Sequence, residues 1–148
     1  MSTHRRELIL ENIRTTLAAV TELTGGAQRQ KQKGNSLAVV PCAIISMGRE
    51  SKKPEPNPQA ACVLPVFVDV WTRQDDADDS ATDTILNALS LVVEKALTAD
   101  HTRGGYAEDT NILGVMPFET IEGSPHCGFT LEVEVTYQHK LTDPSLVT

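Results

Sequence analysis

Apolar residues recur at helical spacing in two segments of the chain. In residues 5–20, Ile9, Ile13 and Leu17 recur every four positions, which predicts a helix with one buried face and with Ser2 or Thr3 as its N-cap. Residues 80–98 carry a longer stripe, and Ser80 followed by Asp83 resembles a capping box. The stripe consists of Ile85, Leu86, Leu89, Val92, Val93, Ala96 and Leu97. This second helix is predicted to anchor the core.

Four other segments have the composition and alternation of β-strands: residues 37–46, 60–73, 112–121 and 127–139. In the second of these, Leu64, Val66, Val68 and Val70 face one way, and Val63, Phe67 and Trp71 face the other. In the last, Phe129, Leu131, Val133, Val135 and Tyr137 alternate with Thr130, Glu132, Glu134, Thr136 and Gln138. One face of that strand is therefore predicted to pack and the other to meet water.

The order of these segments predicts an α+β fold with the arrangement αββαββ. We expect a mostly antiparallel four-stranded sheet with the two main helices packed on one face. Pro41 and Pro65 each remove a ladder donor, which indicates an edge or irregular position in their strands. The chain of 148 residues is long enough for one domain with its own core.

Residues 24–36 and 47–59 are polar, contain glycine or proline, and are predicted to be mobile loops. Structureless connections of this length are uncommon unless they are functional or disordered. Both loops are basic in an acidic protein, and we expect them to order against an acidic surface of a partner or neighbouring subunit. Their basic residues are Arg29, Lys31, Lys33, Arg49, Lys52 and Lys53.

Composition narrows the classes of function. A net charge of -7 disfavours nucleic acid as a bound partner, because neutralising phosphates requires clustered Lys and Arg. Cys42, Cys62 and Cys127 are odd in number and form no CxxC, which indicates neither a disulfide framework nor a zinc ribbon. No signal-peptide-like region or long apolar run is present, so we expect a protein of the reducing cytoplasm.

Each candidate chemical site in the sequence lacks residues that its chemistry requires. The run Asp75, Asp76, Asp78 and Asp79 lacks the glycine and the final glutamate of a calcium loop. Cys62, His126 and Cys127 lack a fourth ligand for zinc, and the glycines after Arg103 belong to no phosphate-binding motif. Neither a catalytic, a cofactor-binding nor a metal-binding constellation is predicted, and the expected function is assembly or binding rather than catalysis.

Four stretches of the chain together resemble the tail terminator family of long-tailed bacteriophages, also called minor tail protein U or tail completion proteins. They are an opening helix (RRELILENIRTTLAAV), a valine-rich strand that runs into Trp71 (LPVFVDVWTR), an acidic approach to a helix (DDADDSATDTILNALSLVVEKAL) and a last strand with a polar tail (VEVTYQHKLTDPSLVT). The resemblance covers nearly the whole chain and is one of pattern. It implies that residues 1–148 form a single tail-terminator-like domain.

The resemblance also implies a function. Such proteins form a hexameric ring on the completed tail tube, stop its polymerisation and present a surface to the head–tail connector. The implied partners are other copies of the chain, the tail tube protein and the connector protein, with DNA only as passing cargo and no membrane. The implied location is the virion tail of a phage or prophage, after assembly in the host cytoplasm. Neither an enzymatic activity nor a cofactor is implied.

Two sets of contact residues follow as expectations. The basic loop residues and Asp143 in the polar tail are expected to contact a subunit or the tail tube. The acidic residues Asp75, Asp76, Asp78, Asp79, Glu132 and Glu134 are candidates for the ring opening, with a solvated outer surface as the equal alternative. Alternative functions are another neck or connector completion protein, and a small-molecule-binding or enzymatic α+β domain.

Overall fold

Two α-helices and six β-strands form the part of the chain that the computed structural model describes, residues 3–75, 77–119 and 123–145. In chain order they are α1 (Arg5–Ala18), β1 (Ala27–Arg29), β2 (Cys42–Met47), β3 (Ser51–Pro54), β4 (Gln59–Arg73), α2 (Thr82–Thr98), β5 (Asp109–Pro117) and β6 (His126–Lys140).

The strands form one open sheet in the order β1-β2-β4-β6-β5, and β3 pairs with β4 beyond the end of β2. All neighbours are antiparallel except β1 and β2, which are parallel. The predicted α+β class is confirmed. The described sheet nevertheless has six strands instead of four, because β1 and β3 lie in the segments that were predicted to be mobile loops.

The core lies between one face of the sheet, which we call the inner face, and the two helices. Leu64, Val66, Val68 and Val70 of β4 are fully buried there, beside the alternate residues of β6 from Phe129 to Tyr137. The helices contribute Ile9, Leu10, Ile13, Leu17, Leu86, Leu89, Val93 and Leu97. The predicted core faces of both helices and of the two long strands are therefore confirmed.

The helix N-caps differ from those predicted. His4 is the N-cap of α1, and its Nδ1 accepts a hydrogen bond from the Arg6 N–H at 3.0 Å. Ala81 is the N-cap of α2 and makes no side-chain cap. Ser80 instead donates its N–H to Asp78 Oδ1 at 2.9 Å, so the chain is still turning at Ser80 and the helix begins after Ala81.

Pro41 and Pro65 mark the boundaries of pairing. β2 begins directly after Pro41, so the predicted strand over residues 37–46 is shorter at its start. Pro65 lies within the central strand β4, opposite the break between β2 and β3, where Gly48 donates its N–H to the Pro65 carbonyl at 2.8 Å. In an antiparallel pair the N and the carbonyl of one residue face the same neighbour, so the absent donor of Pro65 falls at this break.

The end of α2 is closed by polar groups of the following turn. Arg103 is fully buried, has a φ of 51°, and donates to the carbonyls of Leu97 and Asp100. The Thr102 hydroxyl, the Gly104 N–H and the Thr102 N–H all donate to the Asp100 carboxylate and lower its pKa to about 2. The glycine-rich segment after α2 therefore has a structural role.

Candidate functional site

Strand β5 forms one margin of the sheet and exposes apolar side chains there. Leu113, Val115 and Met116 are 55%, 44% and 72% exposed. They lie within four consecutive positions, so apolar side chains are exposed at neighbouring points of the strand. The register with β6 shifts between Ile112 and Gly114, which is a bulge at Leu113. Soluble proteins usually protect such a margin with charge, proline or a covering element. This margin, β5 with its exposed apolar residues, is called the β5 edge.

The sheet face away from the helices, called the outer face, continues from the β5 edge. A shallow, open groove of about 310 Å³ lies between Phe67, Thr130 and Glu132 on one side and Gly114, Val115 and Met116 on the other. Next to it, the Thr130 hydroxyl donates to Asp69 Oδ1 at 2.7 Å across β4 and β6. The groove therefore has one apolar wall and one wall that carries the Glu132 carboxylate.

One end of the outer face is closed by aromatic packing. Trp71 and Phe118 lie with ring centroids 4.5 Å apart. Phe118 lies over Gly128, which pairs directly with Trp71 in the sheet. A Cβ atom at Gly128 would come within 2.1 Å of the Val70 carbonyl oxygen and 2.6 Å of the Phe118 ring. Glycine is needed here for this close approach.

The two predicted acidic groups lie apart. Glu132 and Glu134 lie on the outer face, as the alternation of β6 predicted. Asp75, Asp78 and Asp79 are exposed beyond the end of β4, while Asp76 lies outside the described residues. β4 ends opposite His126, six positions before Glu132, which corresponds to roughly 20 Å along the strand. The structure does not bring these two groups together.

The predicted basic contact residues differ in their surroundings. Arg29 of β1 binds Glu7 of α1 through two hydrogen bonds of 2.8 and 3.0 Å, and Glu11 lies 3.6 Å away. Its side chain therefore holds β1 against α1. Lys31, Lys33, Arg49 and Lys53 are exposed. Asp143 accepts hydrogen bonds from the hydroxyl and N–H of Ser145, which lower its pKa.

A polar cluster around a buried carboxylate, not predicted from the sequence, links α1, β3, β4 and β6. We call it the Glu50 cluster; its members are His4, Arg6, Glu50, Lys52, Cys62, Tyr137 and His139. The Glu50 side chain is 3% exposed and accepts from Arg6 Nη1 at 2.6 Å and from the Tyr137 hydroxyl. Lys52 Nζ lies 3.6 Å from Glu50 and 2.6 Å from His139 Nε2. Lys52 is one of the residues predicted to contact a subunit or the tail tube, and its ammonium also has these partners within its own chain.

Burial determines the protonation states of two further groups in the Glu50 cluster. Burial, and then the hydrogen bond to Glu50, raise the pKa of Tyr137, so its hydroxyl stays protonated and donates. Burial also raises the pKa of the Cys62 thiol, as it does for Cys42 and Cys127. These thiols are therefore mainly protonated at neutral pH and poor nucleophiles.

Only one signal in the sequence pointed to the Glu50 cluster. His139 continues the buried alternation of β6 after Phe129 to Tyr137, and a polar residue on a buried face requires hydrogen-bond partners. The partners themselves could not be identified, because Arg6, Glu50 and Lys52 are far from His139 in sequence. Their proximity arises from β3 pairing with β4 and from α1 packing beside the sheet.

Within the described ranges, no group of three or more His, Cys, Asp or Glu residues is placed to hold a metal ion. Neither of the described helices has the length and apolar character of a membrane span. Comparison with models of known protein families and with curated proteins finds no match to the chain.

Proposed function

We propose that this protein is a phage tail terminator, which caps the completed tail tube as a ring, stops its polymerisation and provides the surface that joins the head connector. The observation that carries the proposal is the β5 edge, where three apolar side chains are exposed at an open margin of the sheet. Such a surface is stabilised when another protein surface covers it. The choice of this assembly rests on the resemblance in pattern between the sequence and tail terminators.

A second copy of the chain is the partner that we propose at the β5 edge. A contact between two different surfaces of identical copies is head-to-tail, and it forms a closed ring when the rotation between copies closes.

In the proposal, strands β2, β4, β5 and β6 with the two helices are the αββαββ arrangement of a tail terminator, and β1 and β3 are additions to it. These two short strands carry or adjoin the basic residues Lys31, Lys33, Arg49 and Lys53. In the proposed ring, these residues provide the contacts to a neighbouring subunit or to the tail tube.

Replacing Leu113 and Met116 by glutamate is expected to abolish ring formation without unfolding the chain. Both side chains are more than half exposed, so their replacement removes little core packing but places charge in the contact. Electron microscopy with purified tail tubes would show terminal rings for the native protein and bare ends for the variant. The matched control is Leu91→Glu, because Leu91 is 54% exposed on α2 and outside the β5 edge.

Each outcome of this experiment identifies a different error. Native protein that never caps tubes would refute the terminator function, and rings found on connectors alone would favour the alternative, another neck or connector completion protein. Normal capping by the folded Leu113 and Met116 double variant would retain the function but exclude the β5 edge as the contact.

In the proposed ring, Glu132 and Glu134 line the opening, where like charge keeps passing DNA from adhering. Replacing both by lysine is expected to leave tail length and capping intact and to lower DNA delivery. Infectivity and DNA ejection by particles that carry the variant provide the measurement. Normal delivery by fully assembled particles would show that these glutamates are solvated surface residues only.

A further inference from the structure

The Glu50 cluster joins three parts of the chain that are distant in sequence. Arg6 comes from the first turn of α1, Glu50 and Lys52 from the start of β3, and Tyr137 and His139 from the end of β6. Close by, the N–H of Arg5 donates to the Pro144 carbonyl at 3.1 Å, which fastens the polar tail to the same place. This contact region therefore determines how α1, β3 and the tail are held together.

The hydrogen bonds of His139 assign a different role to each ring nitrogen. Its Nδ1 lies 2.8 Å from the Lys140 carbonyl oxygen, which can only accept, so Nδ1 donates. Its Nε2 lies 2.6 Å from the Lys52 ammonium, which can only donate, so Nε2 accepts. His139 thereby links the end of β6 to Lys52 of β3.

His4 is constrained in the same way by its role as the N-cap of α1. Its Nδ1 accepts from the Arg6 N–H at 3.0 Å, and this bond is lost when Nδ1 is protonated. The ring of His4 lies edge-on to that of His139, with centroids 5.9 Å apart. Protonation of His4 would therefore add a positive charge beside Arg6 and Lys52.

The charges around His4 leave little compensation for a proton on its ring. Arg6 from α1 and Lys52 from β3 are positive, and Glu50, which precedes β3, is the carboxylate that both of them contact. Cys62 from β4 and Tyr137 from β6 are neutral near pH 7, because burial raises the pKa of both groups. We infer that the Glu50 cluster is a proton-sensitive latch, in which protonation of His4 releases the first turn of α1 and strand β3 from the end of β6.

The direction of the pH effect follows from His4. Burial, then the charges of Arg6 and Lys52, lower its pKa below the usual value of 6.5. The unfolded chain therefore binds a proton at this residue at a higher pH than the folded chain does. The contribution of His4 to stability is complete above pH 6.5 and is lost as the pH falls towards its folded pKa. The latch belongs to the folded chain and does not depend on the proposed ring.

The test compares two variants that each lack two of the four histidines. His4→Asn with His139→Gln removes both imidazole rings from the latch and keeps their hydrogen bonds, because asparagine caps helices and the glutamine amide oxygen accepts from Lys52. His101→Gln with His126→Gln is the matched control, since these two lie outside the Glu50 cluster. Urea unfolding is measured at pH 7.5 and pH 5.0 for the native chain and for both variants.

The folding equilibrium constant of the native chain and of the control is expected to fall on the order of tenfold between pH 7.5 and pH 5.0. The His4 and His139 double variant is expected to change little. In the native chain, NMR signals of the Arg6 amide and of the β3 amides should shift over the same pH range, while those in the centre of β4 and β6 stay constant. If the double variant does not fold, the pH dependence of these NMR signals in the native chain and the stability of the two single variants test the latch instead.

Two results would overturn the latch. One is a native chain whose stability and Arg6 amide signal do not change between pH 7.5 and pH 5.0. The other is a folded His4 and His139 double variant, or two folded single variants, with the same loss of stability as the native chain.

Discussion

Gly128→Ala is expected to destabilise the fold by about 3 kcal/mol or more, which is at or above the usual range for overpacking. The added methyl group would lie 2.1 Å from the Val70 carbonyl oxygen, an atom of the central strand that cannot rotate away. The pairing of β4 and β6 would have to separate locally, and Phe118 would be displaced from Trp71. Urea unfolding gives the free energy, and tryptophan fluorescence reports the surroundings of Trp71.

Gly114→Ala is the matched control, because Gly114 is also a strand glycine but has no atom within 4 Å of the added Cβ. Its replacement is expected to be neutral or to stabilise the chain by about 0.4–1 kcal/mol, since alanine restricts the unfolded chain more than glycine does. If Gly128→Ala were as stable as Gly114→Ala, the close approach of β4, β6 and Phe118 would be refuted.

Glu50→Ala is expected to cost about 1–3 kcal/mol, the cost typical of leaving a buried polar group, here the Tyr137 hydroxyl, without its partner. Arg6 and Lys52 would lose the carboxylate that both contact, and the buried Tyr137 hydroxyl would lose its acceptor. Chemical denaturation of the native and variant chains measures the difference. A variant at Glu50 with native stability would show that the buried carboxylate does not hold these elements together.

Glu11→Ala provides the comparison, since Glu11 also contacts two arginines but is 47% exposed. Water screens such a surface pair, and its loss is expected to cost about 0.2–1 kcal/mol. The ratio between the two costs tests whether burial, rather than the number of ion pairs, determines the effect.

The elements that could be predicted are those that carry their own periodic pattern. Helix α2 repeats apolar residues from Leu86 to Leu97 at helical spacing, and β6 alternates from Phe129 to Tyr137. A residue on the buried side of either element must be apolar or find a partner, wherever that element lies in the fold. The α+β class and the core faces followed from such local patterns.

The short strands could not be predicted from a local pattern. β1 is half-buried along its whole length and β3 is exposed along its whole length, so neither shows an alternation of period two. They form because their backbone groups find partners on β2 and β4. The predicted helix caps were wrong for a related reason, because the position of a cap depends on where the chain turns. The chain still turns at Ser80, and the N-cap is Ala81.

The β5 edge and the Glu50 cluster mark the boundary between what local sequence determines and what tertiary structure decides. By itself, the sequence determined which residues of β4, β6 and the helices are buried, because burial follows the repeat of each element. Only the tertiary structure decided that β5 lies at a margin and that His139 meets Lys52 and Glu50. Strand order and contacts between distant segments depend on which elements pair, and the spacing of residues within one element carries no information about its neighbours.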